Sequence, residues 1–205
     1  MNYNTLATKE SLDKTILALE TKGYKVFKTQ SSAEALEKIK EIIPEGSVLM
    51  NGSSITLNQI GFTDFLKDNN HKWNNLHAAI VSETDPAKQG KLRKEATLSD
   101  YYIGSVHAIT EEGDMIIASN TGSQLPNIVF SSTNLVFVIG TQKVVNNLSA
   151  AMERLESHVK ALEDERSKVA YGVPTSVNKI VIFKGENVFM GRTVSIILVN
   201  ELLGF

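Results

Sequence analysis

Residues 24–51 read YKVFKTQSSAEALEKIKEIIPEGSVLMN. The stretch opens with a short run of strand character, Tyr24 to Phe27. Ser31 followed by Glu34 has capping-box spacing, in which a hydroxyl and a carboxylate satisfy orphan backbone N–H groups at a helix start. Leu36, Ile39 and Ile43 then recur at the interval that puts them on one helix face. Pro44-Glu45-Gly46 stops the helix, and Val48–Met50 forms a second strand. Strand, helix and strand in that order call for parallel strands and an α/β sheet.

Outward from this unit the pattern holds. Leu12, Ile16 and Leu19 predict an amphipathic helix ending near Gly23, so that residues 1–22 form a helical segment packed on the α/β core. Phe62, Phe65 and Leu66 suggest a short helix, and Asp68 to Asn75 reads as loop. Asp85-Pro86 is an N-cap with proline at the first helical position. The helix behind it, with Lys88, Lys91, Arg93 and Lys94, reads as a solvated surface element.

From Tyr101 the chain turns β-rich. Ile103 to Ile109 and Met115 to Ala118 flank Thr110-Glu111-Glu112-Gly113-Asp114, a hairpin pattern. Leu135 to Ile139 is five consecutive apolar residues, as in a strand buried on both faces. Leu148, Met152, Leu155, Val159 and Leu162 step like a long amphipathic helix, and strands near Ile180–Phe183 and Ser195–Val199 close the chain. With no internal repeat and no linker-like stretch, the expectation is one α/β domain over 1–205, with a mostly parallel central sheet flanked by helices.

The chain has 205 residues, enough for one sizeable core. Its formal charge is −2 with no basic block, which argues against nucleic-acid binding. No apolar run reaches the ~18 residues of a membrane span, and MNYNTLATKESL lacks a signal-peptide pattern. A cytoplasmic protein is expected, with no membrane partner. Cysteine is absent. That removes disulfides, thiolate catalysis and iron–sulfur clusters held by this chain, so electron transfer would need another protein. His71, His77, His107 and His158 show no ligand-like spacing, and no metal site or cofactor is expected.

Three constellations could carry chemistry. After the Val48–Met50 strand come Asn51, Gly52, Ser53, Ser54 and Thr56. Glycine lets the backbone approach a ligand, and the hydroxyls can donate to an anion. The competing explanation is that Ser53 or Ser54 caps a helix beginning near Ile55, and on the residues alone capping leads. The stretch matches neither the phosphate-binding loop nor the dinucleotide fingerprint. The second constellation is Ser119 to Pro126, including Thr121, Gly122, Ser123 and Gln124. It is either a plain surface loop or a ligand loop at a strand end. The third joins His107 with Glu111 and Glu112. His107 is either satisfied within its strand or catalytic, and the glutamates are either solvated tips or a general base or nucleophile. Lys143, just past the buried strand, is either a surface lysine or a ligand-facing cation.

These residues resemble the LUD (lactate-utilisation) domain proteins. Ile103-Gly-Ser-Val-His-Ala-Ile-Thr-Glu-Glu-Gly113 is similar to the family's acidic-acidic-glycine turn. Ser119-Asn-Thr-Gly-Ser-Gln-Leu-Pro126 resembles its Thr-Gly-Ser-Gln-Leu-Pro loop, and Val138-Ile-Gly-Thr-Gln-Lys-Val-Val145 its strand end. Glu163-Asp-Glu-Arg166, Ala170-Tyr-Gly172 and Leu203-Gly-Phe205 fit the same pattern. Where many members carry asparagine, this chain has His107.

The resemblance implies the fold of ribose-5-phosphate isomerase, glucosamine-6-phosphate deaminase and the coenzyme A transferases. In that superfamily a strand-to-loop turn contacts sugar phosphates or CoA esters, which shifts Gly52-Ser53-Ser54 toward a ligand. It also implies a role as a stand-alone accessory subunit in bacterial oxidation of L-lactate to pyruvate, beside iron–sulfur partner proteins that hold any clusters. The alternative is an enzyme or binding protein for a small anionic metabolite, an acyl-CoA or sugar phosphate. There Asn51, Gly52, Ser53, Ser54, Thr121, Gly122, Ser123 and Gln124 would contact the ligand and Lys143 would balance its charge. Glu112, with His107, would be the catalytic candidate, because CoA transferases of this fold use a glutamate. The oligomeric state is open, a homodimer being one option.

Overall fold

A computed structural model describes residues 2–68 and 71–205. Helix α1 (Lys9–Thr21) leads into β1 (Lys25–Thr29), α2 (Ser32–Ile42) and β2 (Val48–Asn51). Ser31 caps α2, its hydroxyl accepting from the Glu34 N–H at 3.3 Å, while the Glu34 carboxylate accepts from the N–H of Gln30 at 2.8 Å. Short helices α3 (Ile55–Gln59) and α4 (Phe62–Lys67) come next, then β3 (Asn74–Asn75), α5 (Leu76–Ser82) and α6 (Pro86–Glu95). The second half contains β4 (Tyr101–Gly104), β5 (Ala108–Thr110), β6 (Met115–Ser119), β7 (Asn134–Gly140) and β8 (Val144–Val145). After these come α7 (Leu148–Arg154), α8 (Lys160–Tyr171), β9 (Lys179–Phe183) and β10 (Thr193–Val199).

Six strands form a parallel sheet in the order β1-β10-β7-β4-β2-β3. β7 lies inside it, and its residues alternate between two cores. Val136 and Val138 face a cluster with Ala35, Ile39 and Ile43 from α2 and the segment behind it, and with Leu57, Phe62 and Leu66 from α3 and α4. Leu135, Phe137 and Ile139 face the other way, onto Ile109, Met115, Ile117 and Phe183 of a second sheet, ordered β8-β5-β6-β9. The far side of that sheet, Ala108, Ile116 and Ala118, is covered by Ala150, Ala151, Leu155 and Val159. Two sheets thus stack between helices, and an unbroken apolar run marks the strand that is buried from both sides.

β1 and β2 run parallel, as the strand-helix-strand order requires, with β10, β7 and β4 between them. The architecture departs from the sequence reading in three places. The strand expected from Ile103 to Ile109 is two strands in two sheets. Ser105-Val106-His107 carries the chain from one sheet to the other, a change that apolar alternation does not record. Within the expected Asp68–Asn75 loop, Asn69 and Asn70 lie outside the described residues. Asn74–Asn75 in the same stretch pairs with Val48 and Leu49, and α5 begins at once. The long helix is interrupted by a π-turn, Leu155–Val159, between α7 and α8. No described helix is long and apolar enough to cross a membrane.

Candidate functional site

An open cleft of about 900 Å³ lies beyond the carboxyl ends of β2 and β4, where parallel sheets place ligands. Asn51, Gly52, Ser53 and Ser54 form one wall; Ser105, Val106 and His107 form the next. Ser119, Thr121, Ser123 and Gln124, at and beyond the end of β6, contribute a third, and Lys143 lies at the base. Arg93 from α6 and Lys160, Glu163 and Arg166 from α8 stand around the rim. Residues of all three sequence constellations therefore meet in one place. Gly122, Glu111 and Glu112 are not part of the lining.

Glu112 is exposed at the hairpin tip, outside the cleft. Its neighbour Glu111 is tied away from the cleft, accepting from Ser11 Oγ at 2.8 Å and from Lys14 Nζ at 2.7 Å on α1. Those hydrogen bonds, Lys14 first, hold the Glu111 carboxyl below its ordinary range. The hairpin folds toward α1, and the catalytic role assigned to Glu112 is corrected accordingly.

In the first wall, capping and ligand exposure coexist. Ser54 caps α3, its hydroxyl accepting from the Leu57 N–H at 3.3 Å. Ser53 is exposed on the cleft. Gly52 is needed for space: a Cβ there would stand 3.1 Å from the hydroxyl of buried Tyr102 and 3.9 Å from Gln124 Cβ. Asn51 is buried, and its Oδ1 has no hydrogen-bond partner among the described residues. A buried amide oxygen without a donor is costly unless a ligand or water supplies one.

The polar loop is held by its own hydroxyls. Ser119 Oγ accepts from the Gly122 N–H at 2.9 Å and donates to Gln124 Oε1 at 3.1 Å. Gly122 has φ +84°, and a Cβ would meet the Lys179 side chain at 2.7 Å, so its part is in shaping the turn. Thr121 and Ser123, which flank it, do face the cleft.

His107 is fixed in one protonation state by backbone. Its Nδ1 accepts from the Ala118 N–H at 3.0 Å, and its main-chain N–H donates to Ile116 O at 2.9 Å. A bare Nδ1 puts the proton of the neutral ring on Nε2. Nε2 has no protein partner among the described residues, and the ring lies on the cleft wall. Burial, reinforced by the charges of Lys143 and Arg154, pushes the imidazole down to about 3. His107 is thus a neutral donor, unsuited to holding a second proton at neutral pH.

Lys143 is buried, correcting the surface alternative. Its Nζ donates to Thr56 Oγ1, Ser105 Oγ and Val106 O, each at 3.1 Å. Burial, then the nearby Arg154 guanidinium, lowers it to about 7. Arg154, from α7, is fully buried and donates through Nη1 to His107 O. Its Nε and Nη2 have no acceptor among the described residues. The Tyr3 ring lies 5.7 Å from the guanidinium, and burial lowers Arg154 to about 10.

Sequence reasoning missed Tyr102, Ser105 and Arg154, and saw Thr56 only as a possible anion donor. Ser105 lies inside the quoted Gly-Ser-Val-His motif, and its place between two strand candidates was the available signal. Arg154 sits in an amphipathic pattern, where an inward arginine has the same letters as an outward one.

A family model described as the LUD domain matches residues 12–199. The chain belongs to the LUD domain family. A solved structure, that of a DUF162 family protein from Deinococcus radiodurans, matches with a TM-score of 0.57 at 11% identity. The match covers 96% of this chain and 100% of that one, and at this identity it speaks for the fold. No curated protein matches the chain.

Proposed function

We propose that this LUD-domain protein binds a small anionic metabolite in the cleft. The observation that carries the reading is Lys143: a cation buried at the cleft base with only neutral oxygens around it and, among the described residues, no carboxylate beside it. Buried charge without a counter-ion is unfavourable, and an incoming carboxylate or phosphate relieves it. The ligand draws Lys143 to its charged form, and the protein takes up a proton at Nζ on binding. His107 Nε2–H and the hydroxyls of Ser53, Thr121 and Ser123 offer neutral donors. Arg93 and Lys160 at the rim suit the second charge of an extended ligand such as an acyl-CoA or a sugar phosphate.

Thermal unfolding with L-lactate, pyruvate, acetyl-CoA and ribose 5-phosphate tests this. A true ligand at ~100 times its dissociation constant adds about 2.7 kcal/mol of stability. Lys143→Met removes the shift. Four flat melting curves at saturating concentrations reject the reading.

The setting we infer is bacterial lactate utilisation, the chain acting as an accessory subunit beside iron–sulfur partners. Family membership and the absence of cysteine support it. Lactate-dependent dye reduction, measured for the chain alone and with its genomic neighbours, is the assay. Activity only in the assembled set is expected; full activity from the isolated chain counts against it.

A further inference from the structure

Hydrogen-bond accounting around Lys143 leads beyond binding. An ammonium spends its three N–H bonds on Thr56 Oγ1, Ser105 Oγ and Val106 O. An uncharged amine has two N–H bonds and a lone pair, and one of these neighbours must fill the lone pair. Val106 O is a carbonyl and donates nothing. Thr56 Oγ1 and Ser105 Oγ are hydroxyls whose other acceptors, Leu203 O at 3.4 Å and Val106 O at 3.5 Å, are both at marginal distances, so either can donate to the lone pair. Thr56 is fully buried, which leaves Ser105 as the hydroxyl that can both meet Lys143 and reach a ligand. Ser105 is half-buried and lines the cleft.

We propose that Ser105 and Lys143 are a nucleophile and base for acyl transfer, acting on an ester or thioester bound in the cleft. A serine hydroxyl is a weak nucleophile until an adjacent base takes its proton, and lysine can be that base when it is uncharged. Ser105 Oγ attacks the acyl carbon while its proton passes to Lys143 Nζ. The bond to the leaving alcohol or thiol breaks, the leaving group takes that proton, and an acyl ester remains on Ser105. Water then attacks the ester, gives a proton to Lys143, and the Ser105 oxygen recovers one as the carboxylic acid departs. The Nε2–H of His107, two residues along on the same wall, is a fixed donor for the developing oxyanion.

This step uses the protonation state opposite to the one anion binding uses. A free carboxylate or phosphate charges Lys143; the uncharged carbonyl of an ester does not. The charged and titratable groups facing Lys143 are Arg154 from α7 and His107 from the inter-sheet link. The α3 side supplies Thr56, and among the described residues no carboxylate joins them. Burial and Arg154 hold Lys143 at about 7, so the base form is well populated just above neutrality.

The test exposes the full chain to p-nitrophenyl acetate and maps the acetyl group by peptide mass spectrometry. Acetylation of Ser105 is expected, with a rate that rises and levels off around a midpoint near pH 7. Ser105→Ala loses the label, and folded Lys143→Met is slower by about 100-fold or more. Absence of acetyl on Ser105 overturns the proposal. So does a rate that climbs with hydroxide without levelling, a readout that wild-type protein supplies even where the Lys143 variant fails to fold. The binding reading is separable from this one. Anion-induced melting shifts without Ser105 acetylation reject the nucleophile alone, and acetylation without anion shifts rejects the anion reading alone.

Discussion

Lys143 and Arg154 hold consecutive carbonyls, the ammonium donating to Val106 O at 3.1 Å and the guanidinium to His107 O. Both cations are buried, and both grip the three-residue link between the sheets. They fix the position of Ser105 and His107, the two polar side chains that this link presents to the cleft.

The Lys143 cation is set against stability near neutral pH. Its folded value of about 7 lies below the ordinary 10.5, so between these values the unfolded chain binds a proton that the folded chain does not. Stability therefore rises with pH through that window, by at most about 1.4 kcal/mol per pH unit. Denaturant unfolding at pH 7, 8 and 9 should show the rise in wild-type protein and its loss in Lys143→Met.

His107 gives the complementary dependence in acid. Its folded value of about 3 lies below 6.5, so the unfolded chain takes up the proton first as pH falls. Stability present above about 6.5 is lost on acidification toward 3, and His107→Asn should reduce that loss. Nitrogen NMR of the imidazole should find one protonated and one bare nitrogen, neither moving between about pH 5 and 8.

Gly52→Ala places a methyl 3.1 Å from the Tyr102 hydroxyl. Crowding of this kind in a packed region costs about 1–3 kcal/mol. Tyr102→Phe removes the opposing oxygen, and the double variant should recover part of the loss. Simple addition of the two single effects in urea unfolding would show that the contact is not the cause.

Glu112→Gln should leave ligand-induced melting shifts as in wild-type protein, because the residue lies outside the cleft lining. Glu111→Gln should lower stability only slightly, since its partner Lys14 is well exposed to solvent. A loss of binding in the Glu112 variant alone would return that residue to the site.

Local signals were legible in the sequence. The Ser31 cap and the doubly buried β7 come from spacing. Asn51–Ser54, the Thr121–Gln124 loop, His107 and Lys143 each stand out as strand-end candidates from spacing or the family likeness, but nothing local records that they share one cleft. What escaped depends on distant pairing. Nothing in residues 24–51 records that three strands come between β1 and β2. The alternation through Ile103–Ile109 looks the same whether the chain stays in one sheet or changes to another. The Glu-Glu-Gly turn shows that a hairpin exists, but whether it bends toward the cleft or toward α1 is decided by Ser11 and Lys14, far away in sequence.

The π-turn at Leu155–Val159 adds one residue to a helix that would otherwise be continuous. Each α-helical residue turns about the axis by roughly 100°, so the insertion sets the rotation of α8 relative to α7. Deleting a single residue there would leave Arg154 facing inward and swing Lys160, Glu163 and Arg166 off the rim. Length variation at this one point would alter which ligands the protein admits while leaving its anchoring machinery intact.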